Sequence, residues 1–110
     1  FDWLHGKWHD TFCPIGPCVR SADSLSDPQT LTLELRVNGQ VKQHASSGQM
    51  IFPVAALIAF ISSFVTLEPG DIISTGTPSG VGAATGTFLK SGDVLEAEIS
   101  GIGLLRNPVV

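Results

Sequence analysis

The chain has 110 residues, of which 43% are apolar and only 15% are charged, with a formal net charge of −4. Soluble domains carry roughly 25% charged residues, so this single-domain length has too little charge to cover its own surface, and part of its exterior is expected to pack against more protein. The acidic balance, without a basic run to displace counterions from phosphates, argues against a nucleic-acid partner. A membrane span is not expected either, because the longest apolar run, Met50 to Ile61, is 12 residues and contains Pro53, whereas a span needs about 20.

Phe1-Asp2-Trp3 carries neither an initiator Met nor a signal-peptide pattern and reads as a chain entered part-way. Gly6, Pro14, Gly16 and Pro17 rule out a helix in the first segment and predict an extended ribbon anchored by its apolar residues. Lys7 stands inside that ribbon. A lysine so placed either snorkels to water or sits near an anion. Cys13 and Cys18 could bridge, but they read more simply as reduced, mostly buried thiols of a cytoplasmic protein. His5, His9 and His44 lack the spacing of a zinc site.

Ser21 to Gln29 is polar and predicts a surface loop. Leu31, Leu33 and Leu35 then alternate with Thr32, Glu34 and Arg36, the period of a half-buried strand. Asn38-Gly39 predicts a hairpin. A three-residue loop, Val37 to Gly39, is expected because it sets Leu35 opposite Val41 on one apolar face. Pro53 suits the first position of a helix running to about Val65. That helix is apolar on nearly every side, so it is expected to be buried.

Leu67-Glu68-Pro69-Gly70-Asp71 predicts a tight turn that delivers a short strand from Ile72. The strand opens into Ser74, Thr75, Thr77 and Ser79 interleaved with Gly76, Gly80 and Gly82. Glycines let backbone N–H groups approach a ligand, and hydroxyls add uncharged donors. Such a loop could hold a carboxylate or an enolate oxygen, or be a plain glycine-rich connection. Leu89 to Asp93 echoes the first turn and leads to a strand with Leu95, Ala97 and Ile99 on one face. Glu96 and Glu98 face the other way and are expected to be the solvated side of an edge strand rather than a metal site. The expected class is α+β, mainly β, with one buried helix at about 53–65.

Nucleotide and hydrolase motifs fail. Gly76 to Gly82 matches neither the dinucleotide fingerprint nor the Walker loop, no helix pattern follows it, and no Gly-x-Ser-x-Gly elbow exists. Lys7 and the hydroxyl-rich loop remain, and together they could stabilise negative charge on oxygen.

Several blocks occur in one order: Gly6-Lys7, Asp10-Thr11-Phe12-Cys13-Pro14-Ile15-Gly16-Pro17, Val37-Asn38-Gly39, Met50-Ile51-Phe52, Pro69-Gly70-Asp71, Thr75 to Gly82 and Gly101-Ile102-Gly103. In these the chain resembles the C-terminal half of the catalytic domain of the fumarylacetoacetate hydrolase family, so residues 1–110 are expected to be the C-terminal portion of one such domain. The resemblance implies a mixed β-sandwich roll, usually as a homodimer, that acts on 2-oxo or 1,3-dicarbonyl acids. The implied reactions include C–C hydrolysis, decarboxylation and isomerisation through an enolate. It also implies Mg²⁺, or Mn²⁺ or Ca²⁺ in its place, on carboxylates and beside a general base that lie upstream of residue 1, with no metal ligand within the chain. By the same resemblance Lys7 is the active-site lysine, and Gly76 and Thr77 are the pair that contacts the substrate's carboxylate or oxo groups. The alternative is a non-catalytic β-domain, a small-acid binding module without the metal site.

Overall fold

The alternation of Leu33, Leu35 and Val37 with Glu34 and Arg36 produces the central strand β1 (Thr32–Val37), which pairs antiparallel with β2 (Gln40–Ser46). The computed structural model describes Asp2 and residues 4–110. The turn between the two strands has only Asn38 and Gly39, at φ 51° and 78°, the doubly positive pair of a type I′ turn. The expected three-residue loop is therefore corrected. Arg36 faces Val41, and Leu35 faces Gln43, which leaves Lys42 as one extra residue, a bulge. The bulge reconciles the tight turn with the apolar pattern. Val41 falls on the charged face, 54% exposed, while Gln43 and Ala45 join Leu35 and Leu33 on the other.

Strand β3 (Val94–Ile99) pairs antiparallel with the far side of β1, and β4 (Gly103–Pro108) pairs with β3, giving the order β2-β1-β3-β4. Leu33, Leu35 and Val37 face Ile99, Ala97 and Leu95 on the apolar side. The charged side sets Glu34 directly against Glu98 and Arg36 against Glu96. Glu96 and Glu98 thus lie on an inner strand, not an edge. Opposed carboxylates repel, and Arg36 offsets this by bonding Glu34 and Glu98, the latter at 2.8 Å, and lying 3.6 Å from Glu96. His44 Nδ1 lies 3.1 Å from Glu34, and Arg106 lies 3.7 Å from Glu96.

Helix α1 (Val54–Ser62) begins after Pro53 and ends three residues short of Val65. The hydroxyls of Ser62 and Ser63 donate to the carbonyls of Ala59 and Phe60 and close the last turn. Val54, Leu57 and Ile61, at helical spacing, are half-buried. Phe60 and Phe64 are 67% and 66% exposed, so the helix is not buried among the described residues.

The two echoing turns share one geometry. Asp71 accepts from the Glu68 amide at 2.8 Å and Asp93 from the Lys90 amide at 3.0 Å, with Gly70 and Gly92 at φ 105° and 91°. Only the second delivers a strand. The segment from Ile72 has no ladder partner among the described residues, so the short strand expected there is absent. A one-turn helix, α2 (Gly82–Thr85), follows the loop and is closed by left-handed Gly86. It was not legible from its small residues.

The architecture is α+β and mainly β, as expected, but among the described residues no apolar side chain is fully buried. The accessible surface is 8563 Å², against about 5,800 Å² for a compact domain of this mass. The radius of gyration is 15.1 Å, against about 13 Å. The surface in excess is of the kind anticipated from the low charge. Cys13 and Cys18 are free but exposed, not buried. Among the described residues no helix is long and apolar enough to cross a membrane.

Candidate functional site

Two features dock the loop that carries Gly76 and Thr77 onto β2. Gln43 Nε2 donates to Thr77 Oγ1 at 2.9 Å and to the Pro78 carbonyl at 2.9 Å, with the Ser79 carbonyl at 3.3 Å. Gly80, at φ 102°, crosses the bulge so closely that a Cβ there would lie 2.1 Å from the Lys42 carbonyl. Only glycine permits that approach.

A second set of bonds ties α1 to the end of β2. Buried Ser47 accepts from the Leu31 amide through Oγ at 2.9 Å and donates its own amide to the Leu31 carbonyl at 2.8 Å. Gln29 donates to the Ser47 carbonyl and accepts from the Val54 amide, each at 2.8 Å. The Gln29 side chain thereby satisfies one of the helix's orphan N–H groups.

Between loop and helix lies a cleft of about 830 Å³. Leu33 and Ala45 contribute from the sheet, Val54 and Leu57 from α1, and Thr75 to Ser79 from the loop. The polar lining includes Thr75, Thr77, Ser79, Ser46, Ser47 and His44, and no Asp, Glu, Lys or Arg takes part. The cleft therefore offers neutral donors beside apolar walls, and the donors of its loop, Thr75, Thr77 and Ser79, are exposed and free to meet a ligand from solvent. Gly76, at φ 98°, opens onto it with nothing within 4 Å of where a Cβ would stand.

The predicted residues divide here. Gly76 and Thr77 line the cleft, while Lys7 sits on the exposed turn at 4–7 and is not among the lining residues. Among the described residues no three His, Cys, Asp or Glu side chains converge on a metal position. The densest carboxylates, Glu34, Glu96 and Glu98, are engaged by Arg36. The hydrogen bonds from His44 and Arg36, in that order, hold the Glu34 carboxyl below its ordinary range. This donor set does not fit a divalent ion. Gln43, Ser47 and Gln29 escaped the sequence reading. The signal for Gln43 was a polar residue in a strand otherwise facing Leu33 and Leu35.

A family model described as "Fumarylacetoacetate (FAA) hydrolase C-terminal" matches residues 1–110. The chain is 51% identical over 110 residues to a Xenopus laevis protein named oxaloacetate tautomerase fahd2, mitochondrial, covering 98% of this chain and 34% of that one. The structure resembles a fumarylacetoacetate hydrolase from Exiguobacterium antarcticum (TM-score 0.91, 42% identity, 96% of this chain and 38% of that one). It also resembles a maleylpyruvate hydrolase from Sphingobium sp. SYK-6 in complex with manganese(II) and pyruvate (TM-score 0.86, 40% identity, 93% and 37%). The chain thus spans about a third of the length of the Xenopus relative. On these matches, and on the block order that first pointed there, the chain belongs to the fumarylacetoacetate hydrolase family of enzymes, in its C-terminal part.

Proposed function

We propose that these residues are the substrate-orienting part of a metal-dependent enzyme that acts on small 2-oxo or 1,3-dicarbonyl acids through an enolate. The observation that carries the reading is the cleft itself, where Gly76 and Thr77 stand among uncharged donors and apolar walls. A carboxylate or oxo oxygen placed there would accept from the Thr77 hydroxyl and from loop amides, with water reduced by Leu33, Ala45, Val54 and Leu57. This fixes which oxygen carries the charge that develops when a proton leaves the adjacent carbon. The cleft lining holds no Lys or Arg, so a permanent cation must come from elsewhere. Lys7 is the proposed ammonium, on the resemblance alone, since it lies outside the cleft lining. A divalent ion, Mg²⁺ or Mn²⁺, is the proposed second source, on carboxylates outside residues 1–110, and the manganese of the Sphingobium neighbour supports it. The names of the relatives, a tautomerase and two hydrolases, support an enolate as the shared chemistry and leave the reaction type open.

The surface in excess of a compact domain supports a further cover, either more of the same polypeptide or a second copy in a homodimer. The compartment proposed is a reducing one, which the two free thiols fit; the Xenopus relative's name says mitochondrial. A second reading, a small-acid binding module without catalysis, draws on a cleft lining without Asp, Glu, Lys or Arg.

One experiment separates the two. The intact protein is mixed with oxaloacetate and other 2-oxo acids, with Mg²⁺ or Mn²⁺ and with a chelator, while enol absorbance is followed and binding is measured in parallel. Metal-dependent turnover supports the enzyme. Binding without turnover supports the module, and neither binding nor turnover contradicts both.

A further inference from the structure

The orientation of Gln43 can be read from its surroundings. Its amide group meets three oxygens, Thr77 Oγ1, the Pro78 carbonyl and the Ser79 carbonyl. Two of these are backbone carbonyls, which only accept. The side-chain nitrogen must therefore face them, because the amide oxygen would confront acceptors it cannot pair with. An amide nitrogen only donates, so Thr77 Oγ1 receives an N–H from Gln43 and must send its own proton elsewhere. Among the described residues no acceptor takes that proton, and Thr77 lines the cleft. The Lys42 bulge and side-chain-free Gly80 bring Gln43 and the loop this close.

We infer that Gln43 is a positioning residue, which by occupying Thr77 Oγ1 as an acceptor presents the Thr77 hydroxyl proton to an anionic oxygen in the cleft. The inference rests on the proposed binding of a 2-oxo acid at Gly76-Thr77 and adds how the donor there is given its direction. Without Gln43 the hydroxyl could turn to the loop's own carbonyls and stop donating to a ligand. Replacing the amide by a carboxylate would reverse the arrangement, since Thr77 would then donate to residue 43 and withdraw its proton from the cleft.

The test uses the intact protein, with pyruvate as the probe and affinity read by titration calorimetry. Four variants are compared: Gln43→Glu, Gln43→Ala, Thr77→Val and the double variant Gln43→Glu/Thr77→Val. Gln43→Glu should weaken pyruvate binding about ten- to a hundredfold, matching Thr77→Val, because each removes one donor to a charged group. Gln43→Ala should lose less, since it frees the hydroxyl rather than reversing it, and it carries the test where Gln43→Glu does not fold. The double variant should bind no worse than Thr77→Val alone, a coupling that mere loosening of the loop would not produce. If Thr77→Val weakens binding but Gln43→Glu and Gln43→Ala bind as wild type, this inference alone is overturned. Additive losses in the double variant overturn it too. An unchanged Thr77→Val overturns the 2-oxo acid reading and this inference with it.

Discussion

Asn38 Nδ2 donates to Asp93 Oδ1 at 2.9 Å across 55 residues of sequence, and Asn38 Oδ1 accepts from the Val94 amide at the same distance. The Asn38 amide also donates to the Val94 carbonyl at 2.9 Å. The tip of the β1–β2 hairpin is thereby fastened to the turn that opens β3. Both residues had local explanations, Asn38 as half of a hairpin signal and Asp93 as the end of a turn. Their bond shows that each turn residue also serves the sheet.

Buried Asp93 is held below the ordinary carboxyl range, first by the Asn38 side chain and then by the Lys90 amide. A carboxyl depressed in the folded state stabilises the fold above its unfolded value of about 3.9, and that contribution disappears as pH falls through the folded value. Asn38→Gly keeps the positive φ the turn requires and removes the side-chain bonds. The stability gap between wild type and Asn38→Gly, from urea unfolding, should be widest above pH 5 and narrow as pH falls below about 4. A gap independent of pH would mean that the Asn38–Asp93 bond does not favour the charged carboxylate.

Arg36 is the hub of the charged face. Its guanidinium charge is strengthened first by Glu98 and then by Glu34, and Glu34 in turn is kept ionised by His44 and Arg36. Arg36→Gln leaves Glu34 and Glu98 opposed without a cation between them. Urea midpoints should fall at pH 7 and recover in part near pH 4, where the carboxylates take up protons. Arg36→Lys should recover little, because an ammonium cannot bond two carboxylates with one planar fork. An equal loss at both pH values would assign Arg36 a packing role only.

Gly76 and Gly80 both have positive φ, yet they should respond differently to alanine. At Gly76 the added methyl meets nothing within 4 Å, so only backbone strain opposes it, on the order of 1–3 kcal/mol. At Gly80 the same strain is joined by a backbone oxygen 2.1 Å away. Gly80→Ala should therefore be the more destabilising in thermal melts and should free the loop from β2. Gly76→Val should add a block to ligand approach, seen as lost 2-oxo acid affinity. Equal melting of the two alanine variants would mean that the loop is not docked through Gly80.

Much of the sheet was legible because alternation is a short-range signal with period two. The apolar sets Leu33-Leu35 and Leu95-Ala97-Ile99 fell on one face as read. The register of β2 was not legible. A two-residue turn sends Val41 to the charged face, against the apolar pattern, and the one-residue bulge at Lys42 that permits it leaves no mark in the sequence. Helix α1 was found, but its burial depends on what covers Phe60 and Phe64, and composition alone cannot supply a cover. The loop was recognised through its glycines and hydroxyls. Its anchor was not, because the bond from Gln43 to Thr77 spans 34 residues and depends on the same bulge.

Lys7 lies outside the cleft lining, so its proposed role as the ammonium is open to a direct check. In the intact protein Lys7→Met should lower kcat about a hundredfold or more, as loss of a donor to a developing oxyanion does. Affinity for pyruvate should change less than turnover, since the charge develops only in the transition state. Unchanged turnover would remove Lys7 from the site.

The central claim is that Gly76 and Thr77 hold the acid. Titration of pyruvate into the intact protein and into its Thr77→Val variant tests it most directly, because the substitution deletes one hydroxyl at nearly constant volume. Loss of a hydrogen bond to a charged group costs roughly 1.5–3 kcal/mol, so the dissociation constant should rise about ten- to a hundredfold. A dissociation constant equal to that of the wild type would contradict the claim and leave the loop a structural connection.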